Sequence, residues 1–459
     1  MNLLKDKKHI FFTGIGGIGM SGIAEILLAR GFRVSGSDKQ PSEITSYLAG
    51  KGAQFYQGHA AGNLKEVDLL VYSSAVPVSN PERRQADTLG ITQVRRAEML
   101  ADIMTNHFNI AIAGTHGKTT TTALCSQIFI EADLDPTVVI GGKLRNLKTN
   151  ARLGKGKHFI TEADEYDRSF LALSPNIAII TTIEADHLDC YRDLADIDDT
   201  FLTFAKKVPA DGHIICCVDD PGVQRIILQL DRPVSTYGFS ERADFQAINL
   251  SFHNNQSGFE IALAGKVLAR ISLQIPGRHN VLNATAAFAA ATLAGISPGT
   301  IAGALGRFTG VNRRFELKGE VENILIFDDY AHHPTEVAAT LNSAKAGWNR
   351  KVIVIFQPHL FSRTRDFYKE FARSLSIADE VILADIYPAR EEPIPGVTST
   401  LIIDEARQQG WNQFSYFREK EAIEDYLLAH LAPEDLLITM GAGDIWQLGE
   451  SLVTKLQKQ

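Results

Sequence analysis

Between residues 109 and 123 the chain reads NIAIAGTHGKTTTTA, an apolar run followed by a glycine loop and a Thr-rich helix start. Gly114, Thr115, His116 and Gly117 would form a loop whose free N–H groups can cradle phosphate oxygens. Lys118 can neutralise β and γ phosphates, and the Thr119 hydroxyl, with Thr120 beside it, can ligate Mg²⁺. The loop is shorter than GxxxxGK[ST], because Ile112 stands where the first glycine belongs. An isolated GKT is common. The strand before it and the helix after it favour a nucleotide triphosphate site over a bland helix N-terminus.

Such a site also needs acids. Glu162, Asp164 and Glu165 lie in TEADE, and Asp186, His187 and Asp189 in EADHLD, each group at the end of an apolar run. Carboxylate oxygens suit Mg²⁺, and an imidazole is an unusual but acceptable further ligand. Alone, these would read as a solvated charge cluster and a capping histidine. After a phosphate loop, the ligand reading gains for Glu162 and His187 and stays even for Asp164 and Glu165.

A second glycine loop comes earlier. Gly14, Gly16 and Gly19 fit GxGxxG between a strand and a helix starting near Met20, and Asp38 ends the next strand. Three readings compete: a dinucleotide site, a diphosphate site for another nucleotide, and a tight turn without a ligand. Small residues in GIGGIGMSG and the second loop favour the diphosphate. Asp38 would bind a ribose or cap the next helix.

The elements that must position these residues follow from the pattern. Short Val/Ile/Phe-rich runs alternate with helical-period segments, as parallel strands and crossover helices do, so the fold class is α/β. Strand-plus-loop segments are expected at 9–14, 32–38, 68–75, 109–117, 158–165, 176–187, 324–333, 351–359, 380–387 and 435–444. A helix over 95–109 and a charged connector at 311–320 place boundaries near 107 and 312. Three domains result, 1–107, 108–312 and 313–459, with residues 235–275 adding a small antiparallel sheet to the second.

Composition narrows the function. The 459 residues are 45% apolar and 22% charged, ordinary for domains with sizeable cores. The net charge of −8 gives no diffuse attraction to nucleic acid or an anionic membrane, so anionic ligands must be held by local cations. Cys125, Cys190, Cys216 and Cys217 match neither a zinc spacing nor a disulfide framework, which points to a reducing cytoplasm. No secretory signal is expected at the N-terminus. No apolar run reaches the roughly 20 residues of a membrane span; the Ala-rich 284–296 segment reads as a tightly packed helix.

Taken in order, TGIGGIGMSGIAE, RRAEML, GTHGKTTTT, EADEYDRSFL, DHLD, PGRHNVLNA, NRRFE, DDYAHHPTE, FQPHLFSRT and MGAGDI resemble the Mur ligases of bacterial cell-wall synthesis over nearly the whole chain. The resemblance implies a Rossmann-like UDP-sugar domain, a central P-loop ATPase-type domain with a mostly parallel sheet, and a Rossmann-like amino-acid domain. It assigns Gly114 to Thr120 to the ATP phosphates and Thr119, Glu162 and His187 to metal. Asn280, with His279 beside it, takes the adenine, Arg314 the γ-phosphate and Asp329 the ribose. Lys118, Glu162, His187 and Arg314 would be the catalytic set. Gly14, Gly16, Gly17, Gly19, Ser37, Asp38, Ser73, Ser74, His332, His359 and Arg363 would contact substrates. His333 belongs to the same DYxHHP face as His332, and Arg365 could replace a basic residue where this chain has Leu360.

Many Mur ligases carry a carbamylated lysine in the helix after DHLD. Here the register puts Phe201 at that position, with Lys206 and Lys207 out of step, which favours the branch lacking it. That branch implies ATP-dependent joining of L-alanine to the UDP-N-acetylmuramate carboxylate through an acyl phosphate, with two Mg²⁺ ions, in a monomer or homodimer. Alternatives remain: a recycling ligase that adds a murein peptide to the same sugar, and an NAD-dependent dehydrogenase resting on the first loop. A nucleotide switch without ligase chemistry is a third.

Overall fold

The computed structural model describes residues 2–142, 145, 149–186, 190–389 and 391–458. Its first sheet holds five parallel strands in the spatial order Gln54–Gln57, Arg33–Asp38, His9–Thr13, Leu69–Tyr72, Thr92–Arg95. Parallel neighbours need crossovers, which helices Ile18–Ala29, Glu43–Gly50 and Pro81–Leu89 help to supply. Strand order reverses beside His9–Thr13. The carboxyl end of that strand is where open α/β sheets leave a ligand crevice.

The second sheet has ten strands. Its middle runs Val234–Gly238, His213–Cys217, Ile177–Ile180, Phe108–Ala113, His158–Glu162, Thr137–Val139, all parallel. Phe108–Ala113 is flanked by Ile177–Ile180 and His158–Glu162, so the loops leaving these three strands emerge at one edge. Ile110, Ile112, Ile179 and Ile160 are wholly buried, as expected of a sheet covered on both faces. Strands Phe245–His253, Gln256–Leu263 and Lys266–Leu273 do not form a separate small sheet. They continue this one, entering through a parallel pairing of Tyr237 and Gly238 with Phe245 and Gln246.

The third sheet has the order Glu316–Val321, Ile324–Asp329, Asp435–Met440, Lys351–Phe356, Glu380–Leu383, Phe414–Tyr416, parallel except for the first pair. The chain divides into two compact units. Met1–Asn249, Phe259–Ile271 and Leu282–Phe308 form the first; Leu250–Gly258, Ser272–Val281 and Thr309–Gln459 form the second. Within the first, a continuous apolar core runs through Phe12, Leu27, Ala113, Phe159, Ile180 and Phe204. Asn150 ties the two sheets of that unit, its amide donating to the Ile18 carbonyl at 2.5 Å.

All ten expected strand segments contain strands. Among the unforeseen strands, Gln54–Gln57, Thr92–Arg95 and Phe414–Tyr416 lie at sheet edges, where half-exposed residues blur the hydrophobic signal, while His213–Cys217 is a buried interior strand that the sequence reading passed over. The Ala-rich stretch lies in the helix Arg278–Leu293, and Ala284 and Ala286 to Ala291 are buried. Among the described residues no helix is long and apolar enough to cross a membrane. The cysteines form no disulfide; burial pushes the Cys125 and Cys217 thiols up to about 12, away from reactive thiolate.

Candidate functional site

The phosphate loop is held open by glycines that nothing else could replace. Gly114 has φ +138°, and a Cβ there would lie 2.0 Å from Thr181 Oγ1; Gly117, φ +82°, would meet Asn283 Oδ1 at 2.5 Å. Gly117 caps the helix Lys118–Glu131 without a side-chain hydrogen bond, leaving the helix N-terminus to a ligand. The loop is laced to the segment after Ile177–Ile180. Thr115 N–H donates to the Thr182 carbonyl at 2.9 Å, His116 N–H to Thr182 Oγ1 at 2.9 Å, and Thr181 Oγ1–H to the His116 carbonyl at 2.6 Å. Glu184 N–H donates to Thr115 Oγ1, and the Glu184 carboxylate sits 3.4 Å from His116 Nε2. Thr119 is half-buried and Thr120 buried on the first turn of the helix.

Lys118 Nζ donates to the Gly114 carbonyl at 2.6 Å, to the Thr115 carbonyl at 3.2 Å and to Glu165 Oε1 at 2.9 Å, with Glu165 Oε2 at 2.7 Å. Burial alone would lower the Lys118 pKa. The Glu165, Asp164 and Glu162 carboxylates outweigh it, and the net direction is upward. Glu162 ends its strand and accepts from Gly141 N–H at 2.6 Å, which aims the carboxylate. Asp164 pairs with Arg96 at 3.2 Å and accepts from Tyr166 N–H, so it braces the loop. Asp167 and Arg168 both have φ +54°, a left-handed pair without glycine that costs about 1–3 kcal/mol each. Arg168 is locked by Asp196 at 2.7 Å and Thr200 at 2.9 Å. Asp186 is buried; His187 and Asp189 lie outside the described residues. Phe201 is fully buried against Phe170, and Lys206 and Lys207 are exposed.

At the first glycine loop, Asp38 caps no helix. Its carboxylate accepts from Gly16 N–H at 2.9 Å, and a Cβ on Gly16 would collide with it; Ser42 caps the following helix instead. Gly14 has φ +85°, and the Gly14 and Ile15 N–H groups donate to the Ser37 carbonyl. Gly17 accepts from Met20 and Ser21 N–H, beginning the helix at Ile18, and Gly19 lies against the Arg96 side chain. The Ser37 hydroxyl is fully buried, donating to Glu82 at 2.7 Å with His59 Nδ1 at 2.8 Å. Only the Ser37 backbone therefore borders the loop. Ser73 is half-buried and Ser74 exposed just beyond Leu69–Tyr72.

In the second unit, Asp329 accepts from Phe315 N–H and Ala331 N–H, both at 2.7 Å. Burial pushes its carboxyl up to about 6, with Arg314 and those two N–H groups opposing the rise. Arg314 reaches Glu336 at 3.5 Å and lies over the Tyr330 ring. His332 Nδ1 is 3.0 Å from the Tyr330 carbonyl and 3.3 Å from Glu336, two acceptors that place a proton on it. His333 caps Pro334–Gly347 through Nδ1. His359 lies 5.9 Å from His332 and stacks on Tyr387. Arg363 is buried on Phe361–Leu375, Leu360 adopts φ +72° before that helix, and Arg365 is an exposed partner of Asp366. Asn280 is buried, its amide donating to the Pro276 carbonyl at 2.7 Å.

Burial pulls the His279 pKa down to about 4, Arg314 adding to the fall and Glu336 opposing it. A folded value below the unfolded 6.5 means this stabilisation is complete above about pH 6.5 and is lost as pH falls toward 4. Between those limits the unfolding free energy should drop by up to about 1.4 kcal/mol per pH unit from this group. Urea midpoints across that range should fall less steeply in His279→Gln than in wild type.

The residues brought together in the first unit are Gly114 to Thr120, Glu162, Asp164 and Glu165. In the second they are Arg314, Asp329, His332 and His359. Sequence reasoning missed Thr181, Thr182, Glu184, Gly141 and Asn283. Asn283 and Glu184 were within reach, the first one helical turn beyond Asn280 and the second opening EADHLD, both in motifs already singled out; the others carry no spacing signal.

Three family models match the chain: "Mur ligase family, catalytic domain" over 9–108, "Mur ligase middle domain" over 112–291, and "Mur ligase, glutamate ligase domain" over 313–443. A UDP-N-acetylmuramate–L-alanine ligase of Geotalea uraniireducens is 48% identical over 450 residues, 98% of each chain. One from Geotalea daltonii is 46% identical over 451 residues, with the same coverage. Among solved structures, a UDP-N-acetylmuramate-alanine ligase from Thermotoga maritima superposes with a TM-score of 0.84 at 30% identity, over 98% of this chain and 99% of that one. A murein peptide ligase from Psychrobacter arcticus gives 0.73 at 27% identity, with the same coverage.

Proposed function

The chain belongs to the Mur ligase family, and from that premise we propose that it joins L-alanine to the carboxylate of UDP-N-acetylmuramate at the expense of ATP. Likeness to L-alanine ligases at 46–48% identity over almost the entire chain carries the choice of substrates. Two solved murein-peptide ligases superpose less well, with TM-scores of 0.73 and 0.62 against 0.84 for the alanine ligase, which disfavours the recycling reading. A dehydrogenase would leave the Gly114–Thr120 loop and its acids without a purpose.

A carboxylate is a poor electrophile with a poor leaving group. In the proposed route it takes the γ-phosphoryl of ATP, the resulting acyl phosphate is attacked by the alanine amine, and phosphate leaves the tetrahedral intermediate. Two anions must first approach, so the residues act mainly by positioning and by placing positive charge. The helix N-terminus behind Gly117 holds phosphate oxygens, the Thr115 and His116 amides being engaged by Thr182, and Lys118 takes the β and γ charge. Arg314 has the γ-phosphate role, Asp329 the ribose and Asn280 the adenine. Gly14, Gly16, Gly17, Gly19, Asp38, Ser73 and Ser74 border the UDP-sugar subsite. His332, His359 and Arg363 contact the amino acid or the intermediate.

Thr119 and Glu162 are oxygen donors of the kind Mg²⁺ takes, and the acids gathered about Lys118 make a cation welcome. Two ions, with His187 as a further ligand, would supply electrostatic relief to the transferring phosphoryl. Boundaries near 107 and 312 and a cytoplasmic location belong to the same reading.

The test is an acceptor panel with UDP-N-acetylmuramate, ATP and Mg²⁺ held constant. Phosphate release should be greatest with L-alanine, weaker with glycine or serine, and absent with a tripeptide. A methyl group is worth about 1–3 kcal/mol, so glycine should fall behind by roughly 10- to 200-fold in kcat/KM. Preference for the tripeptide would select the recycling reading, and no phosphate with any acceptor would sink both.

A further inference from the structure

The ammonium of Lys118 is fully occupied before any nucleotide arrives. It has three N–H donors, and two loop carbonyls and the Glu165 carboxylate take them. Of these partners only Glu165 bears charge, and it is itself buried, with 3% of its surface exposed. Phosphate oxygens approaching Lys118 compete with that carboxylate for its ammonium. We propose that Glu165 is a built-in counterion for the phosphate-loop lysine, so that ATP binding is an exchange of a protein carboxylate for a phosphate. Glu165 then acts as a positioning residue that sets nucleotide affinity.

The surrounding loop is made to keep the carboxylate there. The Glu165 carbonyl accepts from Tyr191 O–H at 2.6 Å and from Arg168 N–H at 2.9 Å. The left-handed Asp167 and Arg168 come two and three residues later, and Ser169 O–H closes the turn onto the Asp164 carbonyl at 3.0 Å. Strained backbone persists only where its surroundings over-determine it, and here the braces converge on the residue facing Lys118. The charges facing the pair are Asp164 and Glu162, both negative. They make a released Glu165 carboxylate still less comfortable and so favour the closed pair when no nucleotide is present.

The exchange has two consequences. Without nucleotide, Glu165 spares the enzyme a buried, uncompensated cation. With nucleotide, its displaced charge opposes the phosphates and weakens ATP and ADP alike, which helps product leave. Glu165→Gln keeps the shape and one acceptor but removes the charge. This inference rests on the proposed ATP site, and the test separates the two.

Titration calorimetry with Mg²⁺ and a non-hydrolysable ATP analogue should show Kd about tenfold lower in Glu165→Gln than in wild type. KM for ATP should fall in parallel, and UDP-N-acetylmuramate binding should not change. The nucleotide-free variant should melt below wild type and gain more from the analogue. Glu165→Asp, with the carboxylate drawn back by one methylene, should bind the analogue with intermediate Kd, and it decides the matter if the Gln variant does not fold. A Kd equal to or weaker than wild type in the folded variants overturns the exchange while leaving the ATP site intact. A wild-type enzyme that binds no analogue overturns both.

Discussion

Lys118→Ala should abolish turnover while leaving UDP-N-acetylmuramate binding nearly unchanged. The lysine supplies the positive charge nearest the loop that holds the transferring phosphoryl, in a site where burial strengthens every charge. Loss of one such donor typically costs 10² to 10³ in kcat, and loss of a full cation should cost about 10³-fold or more. The proposed sugar subsite, around Gly14, Gly16 and Asp38, belongs to another sheet, and Lys118 bonds instead to Gly114, Thr115 and Glu165. Stability should fall as well, because removing one member of a buried pair leaves Glu165 uncompensated. The measurement is therefore paired: phosphate release for turnover, and calorimetry with the UDP-sugar to show that the protein is folded. Loss of sugar binding together with turnover would contradict separate sites.

The second large effect divides two adjacent arginines. Arg313 is a structural hub: its guanidinium donates to Asp328 at 3.0 Å and to the carbonyls of Gly441 at 2.7 Å and Gly443 at 3.3 Å. Asp328 is fully buried, and burial pushes its carboxyl upward against the pull of Arg313. Arg313→Ala should therefore destabilise the protein by about 3–5 kcal/mol, the range for breaking a buried pair. Arg314 pairs with Glu336 at a long 3.5 Å and lies over the Tyr330 ring, from a side chain 31% exposed. Arg314→Ala should cost less than about 1 kcal/mol of stability and roughly 10²- to 10³-fold in kcat. Denaturant midpoints and steady-state rates on both variants give the comparison. A stable Arg313→Ala, or an Arg314→Ala that retains full turnover, would reverse the assignment.

Much of this was legible before any coordinates. Ile110 and Ile112 announce a buried strand, and GTHGKT announces its loop, because a phosphate cradle needs glycine at fixed offsets and a lysine directly behind. The acids in TEADE were legible as a group but not as individuals. Chemically similar neighbours take different roles according to which way the backbone turns. Glu162 faces Gly141, Asp164 braces Arg96, and Glu165 pairs with Lys118 just ahead of two left-handed residues that no pattern predicts. Ser37 and Asp38 were both expected at the sugar. The fold buries the Ser37 hydroxyl on Glu82 and spends one Asp38 oxygen on Gly16.

Residue order alone settles the α/β class, the succession of motifs and the family they define. Those properties rest on local periodicity, on glycine's conformational freedom and on residue types whose chemistry does not depend on their neighbours. Folding in three dimensions pairs Lys118 with Glu165, sets Arg313 against Asp328 and two glycine carbonyls while Arg314 lies by Glu336 and Tyr330, and buries His279 so that its pKa falls. Each of these is a matter of distance between groups far apart in the chain and of how much water lies between them. Charge pairing and desolvation act through space, so residue spacing along the chain could not reveal them.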